Sequence, residues 1–571
     1  MTMIADLLFP MSPGILLALG GLLVPFIGAR VARIYVLALP AVLLAYIFML
    51  PDGSHGAISF LGFELELLRI DNLSRIFATI FMIAAILGNL YAWHEEDPVQ
   101  RTAAQVYAGS AIAAALAGDM ISLFVFWELT AISSVFLIWA SGTDSAFRSG
   151  MRYLIIQVGS GVILLTGLIV HVNATGSIAF DHLGLDAPGA PLILLAFGIK
   201  CAFPLLHNWL QDAYAEATVT GTVVLSAFTT KLAVYTLARG FAGTEMLIWI
   251  GAAMTAFPIF YAVIENDLRR VLAYSLNNQL GFMVVGVGIG SELALNGTAA
   301  HAFCHILYKA LLFMSMGAVL FRTGTCKGSE LGGLYKTMPL TMIFCVVGAA
   351  SISAFPLFSG FVSKSLIMSA SGKEGYWFVW GVLLFASAGV FHHSGIKIPY
   401  FAFFAHDSGQ RPKEAPVNML LAMGAAAVLC VGIGVWPEPL YALLPYDVDY
   451  VPYTTSHVIT QLQLLMFSAL AFTVLMLTRI YPPELKSTNL DFDWVYRRLL
   501  PRQLLALGRA IDTGYVHVTN VGRTVIGAAI SLSAEIFAPG GLYGRMVGTG
   551  NAVALVAILL LVALVVSYSA V

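Results

Sequence analysis

The sequence predicts an all-α polytopic membrane protein with about 14–16 transmembrane helices, two repeated halves that each contain a broken helix, and a C-terminal amphipathic segment with an anchor helix. Three observations carry this prediction. Of 571 residues, 59% are hydrophobic and only 11% charged, where an average soluble domain has roughly 25% charged residues. Sixteen apolar stretches are long enough to cross a bilayer, which takes roughly 17–25 residues. Two of them are interrupted, by Pro204 and by Pro356 with Gly360, and each interruption has a lysine nearby.

In chain order the predicted spans are 12–28, 33–50, 74–94, 103–118, 120–140, 151–171, 190–211, 218–240, 243–263, 271–290, 295–321, 340–370, 375–405, 417–440, 457–480 and 549–570. The opening MTMIADLLFP carries an acid and no basic run, so it does not read as a cleavable signal peptide, and the first apolar run is expected to stay as a helix. Alternate loops differ in Lys and Arg content. With the N-terminus outside, 21 of the 29 fall on inner segments, among them Lys397, Lys486 and Arg545, against Arg69, Arg75, Arg239 and Lys373 outside. The positive-inside rule then puts both termini outside the plasma membrane. Residues 481–548 mix charge with apolar residues at helical spacing, which suits a segment lying along the inner surface, pinned by the last helix.

Nothing in the composition points to nucleic acid: the net charge is -2 and no basic run is present. Cys201, Cys304, Cys326, Cys345 and Cys430 lie in apolar segments without metal-ligand spacing, and are expected to be packed free thiols. Neither a dinucleotide fingerprint nor iron–sulfur spacing is present. No cofactor and no metal are expected, and the chain does not read as an enzyme.

Lys200, Lys231, Lys309 and Lys364 remain inside the spans, with Glu128 near the middle of DMISLFVFWELTAISSVFLIWASG. Facing lipid, each would cost about 2.5–3.5 kcal/mol on insertion scales, so these groups must face one another, backbone carbonyls or water. Glu128 can stay ionised beside a lysine, and Lys200 or Lys231 is the expected partner. Lys200 precedes Pro204 by four residues and Lys364 follows Gly360 by four. A helix broken at membrane depth is tolerated where protein or a wet cavity satisfies its backbone. Two such breaks roughly 160 residues apart suggest the repeated halves common in ion transporters. Lys231 is too central to reach the interface, and an ammonium stripped of water can release and recapture a proton. In HAFCHILYKALLF, His301, His305 and Lys309 follow at steps of four and form one helical stripe. Imidazoles accept on one nitrogen and donate from the other, as a proton relay requires. His207, His392 and His393 are further candidates.

Five stretches in order, FVFWELTAISSVFLIW, KCAFPLLHNWLQDAYAEA, DLRRVLAYSLNNQLGFM, HAFCHILYKALLF and AFPLFSGFVSKSLI, resemble the motifs of the proton-conducting membrane transporter family. That family includes the D and A members of Mrp-type multisubunit Na⁺/H⁺ antiporters and the antiporter-like components of complex I and membrane hydrogenases. The resemblance covers roughly residues 70–410. It implies two inverted five-helix repeats, each a half-channel, joined by a hydrophilic axis. It also implies that Glu128, Lys200, Lys231, His305, Lys309 and Lys364 occupy the family's ion-translocating positions. The expected division is 1–102 N-terminal helices, 103–240 first repeat, 241–405 second repeat, 406–480 additional helices, 481–548 amphipathic segment and 549–571 anchor. Two positions depart from the pattern: Gln211 replaces a usual proline, and Thr218 stands where the motif ordinarily ends in proline, which would loosen the turn after the first break.

These features lead to the expectation of a proton-translocating subunit within a larger membrane complex, working with other membrane subunits and exchanging protons for a cation, Na⁺ first. A redox-driven pump module of the complex I or hydrogenase kind is one alternative, and an energising component of an inorganic-carbon transport complex another. A stand-alone solute carrier would need a large apolar pocket, which a charged axis argues against.

Overall fold

The computed structural model describes residues 11–485, 489–544 and 548–569. The sequence expectations for the first ten residues, Lys486 and Arg545 lie outside the described residues. The chain divides into two compact units, 1–489 and 490–571. All sixteen predicted spans have helical counterparts, and the chain is a multi-pass membrane protein. Among the described residues, eleven helices are individually long and apolar enough to cross a bilayer. The remaining crossings are shorter, more polar or broken.

The first unit opens with α1 (Pro13–Leu22) and α2 (Ala29–Met49). A hairpin of β1 (Gly53–Phe60) and β2 (Phe63–Ile70) follows, which the pattern of spans does not predict. It pairs Phe60 with Phe63 and Gly53 with Ile70. Its two-residue turn, Leu61–Gly62, has positive φ at both positions, the geometry that matches strand twist. The pair is anchored where the Glu66 amide donates to Asp119 Oδ2 at 2.8 Å and the Gly118 amide donates to Glu66 O at 2.9 Å. Next comes α3 (Asn72–Tyr91), begun by a reciprocal capping box between Asp71 and Ser74.

Two groups of five crossings then follow in register. The first contains α4 (Pro98–Leu116), α5 (Met120–Trp139), α6 (Asp144–Thr175), the broken pair α7 (Ala190–Lys200) and α8 (Asn208–Glu216), and the pair α9 (Val219–Ala227) and α10 (Thr229–Gly240). The second contains α11 (Glu245–Ile264), α12 (Leu268–Ile289), α13 (Glu292–Thr323), the broken pair α14 (Pro339–Ile352) and α15 (Ser359–Lys373), and α16 (Trp377–Val390) with its continuation to residue 404. Helices α6 and α13 are both 32 residues long, and each ends on a left-handed glycine, Gly176 or Gly324. They start at residues 144 and 292, a shift of 148. The same shift relates the helix-capping aspartates Asp119 and Asp267, and the isolated bridges Asp119–Ala179 and Asp267–Lys327. Five crossings separate Asp119 from Asp267, so the second group enters the membrane from the opposite side.

Both breaks carry the same four residues, Ala-Phe-Pro-Leu, at 202–205 and 354–357. In both, the alanine and the leucine hold positive φ: 61° and 70° at Ala202 and Leu205, 56° and 73° at Ala354 and Leu357. Non-glycine residues there cost on the order of 1–3 kcal/mol and persist only where surroundings enforce them. One enforcing contact is Gly360, where an added Cβ would sit 1.8 Å from the Ser351 carbonyl oxygen.

Two spans differ from expectation. The span of Lys231 is not one helix: it is interrupted at Phe228 without any proline. The span at 375–405 is α-helical only to Val390, then π-helical over Phe391–Lys397 and Tyr400–Phe404, a form concentrated at functional sites. Lys397 therefore lies within this span, fully buried, not in an inner loop. α17 (Val417–Val435), the short α18 (Glu438–Tyr441) and α19 (Thr455–Leu477) complete the unit. The core runs along α9, α10 and α13: the hydropathic windows of 219–240 and 292–323 are 100% and 94% buried, which keeps their lysines away from lipid.

The second unit contains one 38-residue helix, α20 (Leu500–Phe537), with Arg502, Arg509 and Arg523 among its apolar residues, and the uncharged α21 (Thr549–Ser569). All five cysteines are buried free thiols.

Replacing Gly360 by alanine is expected to remove most correctly folded protein, because backbone must move to admit the methyl group. Ala354→Gly, which relieves the φ strain, should melt at or above the wild-type temperature. Size-exclusion profiles and thermal melts in detergent check both.

Candidate functional site: a buried line of lysines and histidines

Lys200 ends α7 at the first break and is wholly buried. Its ammonium donates to Trp127 O at 2.5 Å and to Thr130 Oγ1 at 2.9 Å, and lies 4.2 Å from the Trp127 ring centre. All three groups belong to α5, beside Glu128. The structure therefore makes Lys200, not Lys231, the cation within electrostatic reach of Glu128. Glu128 is half-buried, and its Oε1 has no hydrogen-bond partner among the described residues. It occupies space that α6 leaves open at Gly161, where a Cβ would fall 1.3 Å from Oε1.

Lys231 donates to the Ser226 carbonyl at 2.6 Å. That carbonyl is released by the interruption at Phe228, so the lysine and the broken helix satisfy one another. Cys201, at the first break, is also within electrostatic reach of Lys231.

The stripe on α13 lies in the protein interior. His301, His305 and Lys309 each have 0% exposure. His305 falls between the halves, in electrostatic reach of Lys231, Lys309, His301 and Lys364. Neither of its ring nitrogens has a hydrogen-bond partner among the described residues. His301 meets Gln279 Oε1 and Ser363 Oγ, each at 3.2 Å, and its ring centre is 6.2 Å from that of His305. Lys309 donates to Leu272 O at 3.2 Å and to Ser275 Oγ at 2.9 Å. Lys364 donates to the Ile352 carbonyl, the last of α14 before the second break, at 3.2 Å. Its ammonium lies 4.9 Å from the Phe282 ring centre. Lys309, His305 and His301 thus follow one another along α13, with Lys231 of the first repeat in electrostatic reach of Lys309 and His305 and Lys364 in reach of His305 and His301, while Lys200 pairs with Glu128 at the first break.

The weaker candidates separate. His393 is buried and touches Ser394 Oγ at 2.9 Å, and Ser394 donates to Ser275 at 2.7 Å, so it joins the line at Lys309. His392 instead packs on the rings of Phe472 and Tyr481. His207 lies after the first break against the Phe257 ring, 4.6 Å between centres.

Sequence reasoning missed Gln157. It is fully buried and both its amide atoms lack protein partners among the described residues. By the 148-residue shift it is the first-repeat counterpart of His305, and it lies one turn before Gly161 on the same face of α6. The available signal was the repeat register, which a motif search does not use. Orphan polar atoms at this depth cost about 1–3 kcal/mol each unless water satisfies them.

The turn after the first break is not loosened by Thr218. The Thr218 side chain caps α9 by accepting from the Gly221 amide at 2.9 Å. Arg269, from the second repeat, donates to the carbonyls of Tyr214, Ala217 and Thr218.

A family model described as NADH:quinone oxidoreductase/Mrp antiporter, TM, matches residues 117–392. The D component of the Na(+)/H(+) antiporter of Alkalihalophilus pseudofirmus is 30% identical over 352 residues, covering 57% of this chain and 70% of that protein. The A/B component of a probable K(+)/H(+) antiporter of Rhizobium meliloti is 33% identical over 326 residues, 53% of this chain, and this chain spans 32% of its length. A chain from the structure of the Mrp complex of Dietzia sp. superposes with a TM-score of 0.69 at 20% identity, covering 76% of this chain and 95% of that one, and shares the fold.

Gly161→Ala is expected to displace the Glu128 carboxylate and to cut proton movement into vesicles carrying this chain and its partner subunits about tenfold, equivalent to about 1.4 kcal/mol. Gly159→Ala, which meets open space, should leave the rate unchanged in the same dye-quench assay.

Proposed function

We propose that this chain, which belongs to the NADH:quinone oxidoreductase/Mrp antiporter transmembrane family, is the proton-translocating subunit of a multisubunit cation/proton antiporter, with Na⁺ the exchanged ion. The observation that supports it best is the line of buried amines and imidazoles crossing from one inverted repeat into the other. Each repeat serves as a half-channel. Glu128 sets the charge state of Lys200; Lys231 and Lys309 hold and release protons on one side of His305, which can accept from that side and donate to the other. His301 and Lys364 continue the relay to the second break. The chain works in the plasma membrane with both termini outside, as the Lys/Arg asymmetry of its loops favours, alongside other membrane subunits.

A second reading, a pump module of a redox complex, is favoured by the extension beyond residue 489, with its 38-residue helix and terminal apolar helix. Co-purifying subunits decide between them. After mild detergent extraction, mass spectrometry should find small hydrophobic antiporter subunits; flavin or iron–sulfur proteins would establish the second reading instead.

Lys231→Ala and Glu128→Ala are each expected to abolish proton translocation in vesicles of the assembled complex while leaving its abundance unchanged. Normal flux in either variant would sink the relay.

A further inference from the structure

At the end of the matched family segment, the π-helical stretch Phe391–Lys397 carries a second set of buried groups. Lys397 has 0% exposure, and its ammonium donates to Ala262 O at 3.2 Å, Val263 O at 2.7 Å and Glu265 O at 2.6 Å. Its counterion is Glu484, with Oε1 at 2.9 Å and a side chain only 6% exposed. Glu484 also lines a cleft of about 500 Å³, together with Ser329, Phe401, His406, Arg479 and Tyr481. This is the end of the bundle where Arg269, Arg270 and Lys327 lie in sequence beside the participating segments. From the other direction, Lys309, Ser275, Ser394 and His393 are linked by contacts of 2.9, 2.7 and 2.9 Å. His393 Nε2 is buried without a hydrogen-bond partner among the described residues. Lys397 follows it by four residues and is within its electrostatic reach.

Building on the relay described above, we infer that His393, Lys397 and Glu484 form a branch connecting Lys309 to water at the Lys/Arg-rich end, with Glu484 as the group that exchanges the proton there. The proton count closes. With the Ser275 and Ser394 hydroxyls turned so that each donates to the next, Lys309 gives up one proton and His393 Nδ1 gains one, and both serines end as hydroxyls. His393 then returns to neutral by releasing its Nε2 proton toward Lys397. Lys397 passes one of its own to Glu484, leaving an ammonium and a carboxylic acid. The acid discharges into the cleft. A purely structural Lys397, capping the carbonyls at the end of α11, would need only an acceptor at position 484, and a neutral one would suffice.

Burial pushes the Glu484 carboxyl above the usual carboxylate range, against the pull of Lys397 and with a smaller push from Glu265. His406, Arg479 and Tyr481 are the other titratable or charged groups at the cleft. At a given pH the folded protein therefore holds a larger protonated fraction of Glu484 than a free carboxyl would, and this fraction falls as pH rises.

Two measurements on the intact complex test the branch. Glu484→Gln keeps an acceptor of the same shape for Lys397 but cannot carry a proton. It is expected to lower proton translocation at least tenfold at unchanged abundance, while Glu484→Asp retains transport with a displaced pH profile. Translocation within twofold of wild type in Glu484→Gln overturns the inference. In the wild-type complex, a hydrophobic carbodiimide, which adds to protonated carboxyls, should modify Glu484 at pH 6 and progressively less toward pH 9, read by peptide mass spectrometry. Absence of modification across that range overturns it too, whether or not the variant assembles. Lys231→Ala, run alongside, separates the hypotheses: if it is inactive and Glu484→Gln is normal, the branch fails and the central relay stands. If Lys231→Ala is itself normal, the relay fails.

Discussion

A lysine ammonium inside a membrane protein must find acceptors, and in this fold backbone carbonyls supply them. Each of the five buried lysines on the line and its branch bonds at least one: Lys200 that of Trp127, Lys231 that of Ser226, Lys309 that of Leu272, Lys364 that of Ile352, and Lys397 those of Ala262, Val263 and Glu265. An intact helix keeps its carbonyls occupied by the amides four residues on. Freeing one means interrupting or ending the helix, and at membrane depth the freed group must be satisfied by protein or by water. The interruptions and the lysines are therefore two halves of one solution. Ser226 and Ile352 sit at breaks, and Ala262, Val263 and Glu265 at a helix end. Trp127 and Leu272 are the exceptions, where a neighbouring hydroxyl, Thr130 or Ser275, shares the ammonium.

This arrangement suits transfer better than storage. A carboxylate held against each lysine would fix its proton. Carbonyls and hydroxyls solvate the charged form without trapping it, and they accept the loss of one N–H at modest cost. Glu128 and Glu484 are the acidic groups at Lys200 and Lys397, the outer members of the row. Between the halves stands His305, neither of whose ring nitrogens has a hydrogen-bond partner among the described residues.

The repeat makes the asymmetry of the two halves readable. The Ala-Phe-Pro-Leu turns hold the same strained φ values in both, yet the lysine precedes the turn in one and follows it in the other. At the 148-residue shift, Gln157 answers to His305 and Gly161 to Lys309. The first repeat has an amide and a gap where the second has titratable groups, and the gap receives Glu128 from the neighbouring helix. One backbone plan thus carries two different charge patterns.

Hydropathy located a helix or broken helix at each of the sixteen predicted spans, because twenty apolar residues have few other fates, and it exposed Lys200, Lys231, Lys309, Lys364 and Glu128 as misfits whose insertion cost had to be met inside the protein. The stripe of His301, His305 and Lys309 was equally legible, since helical periodicity alone puts steps of four on one face. The hairpin at 53–70 was not, because its alternation is irregular and its support comes from Asp119 and Gly118 far along the chain. The interruption at Phe228 lacked a proline and depends on Lys231 competing for a carbonyl. Lys397 was misplaced in a loop because hydropathy sees the charge but not Glu484, its partner 87 residues later. Composition and period decided what had to be buried and on which face of its helix. Only the tertiary structure decided which carbonyl, hydroxyl or carboxylate would receive each charge, because those partners come from elements the local sequence cannot bring together.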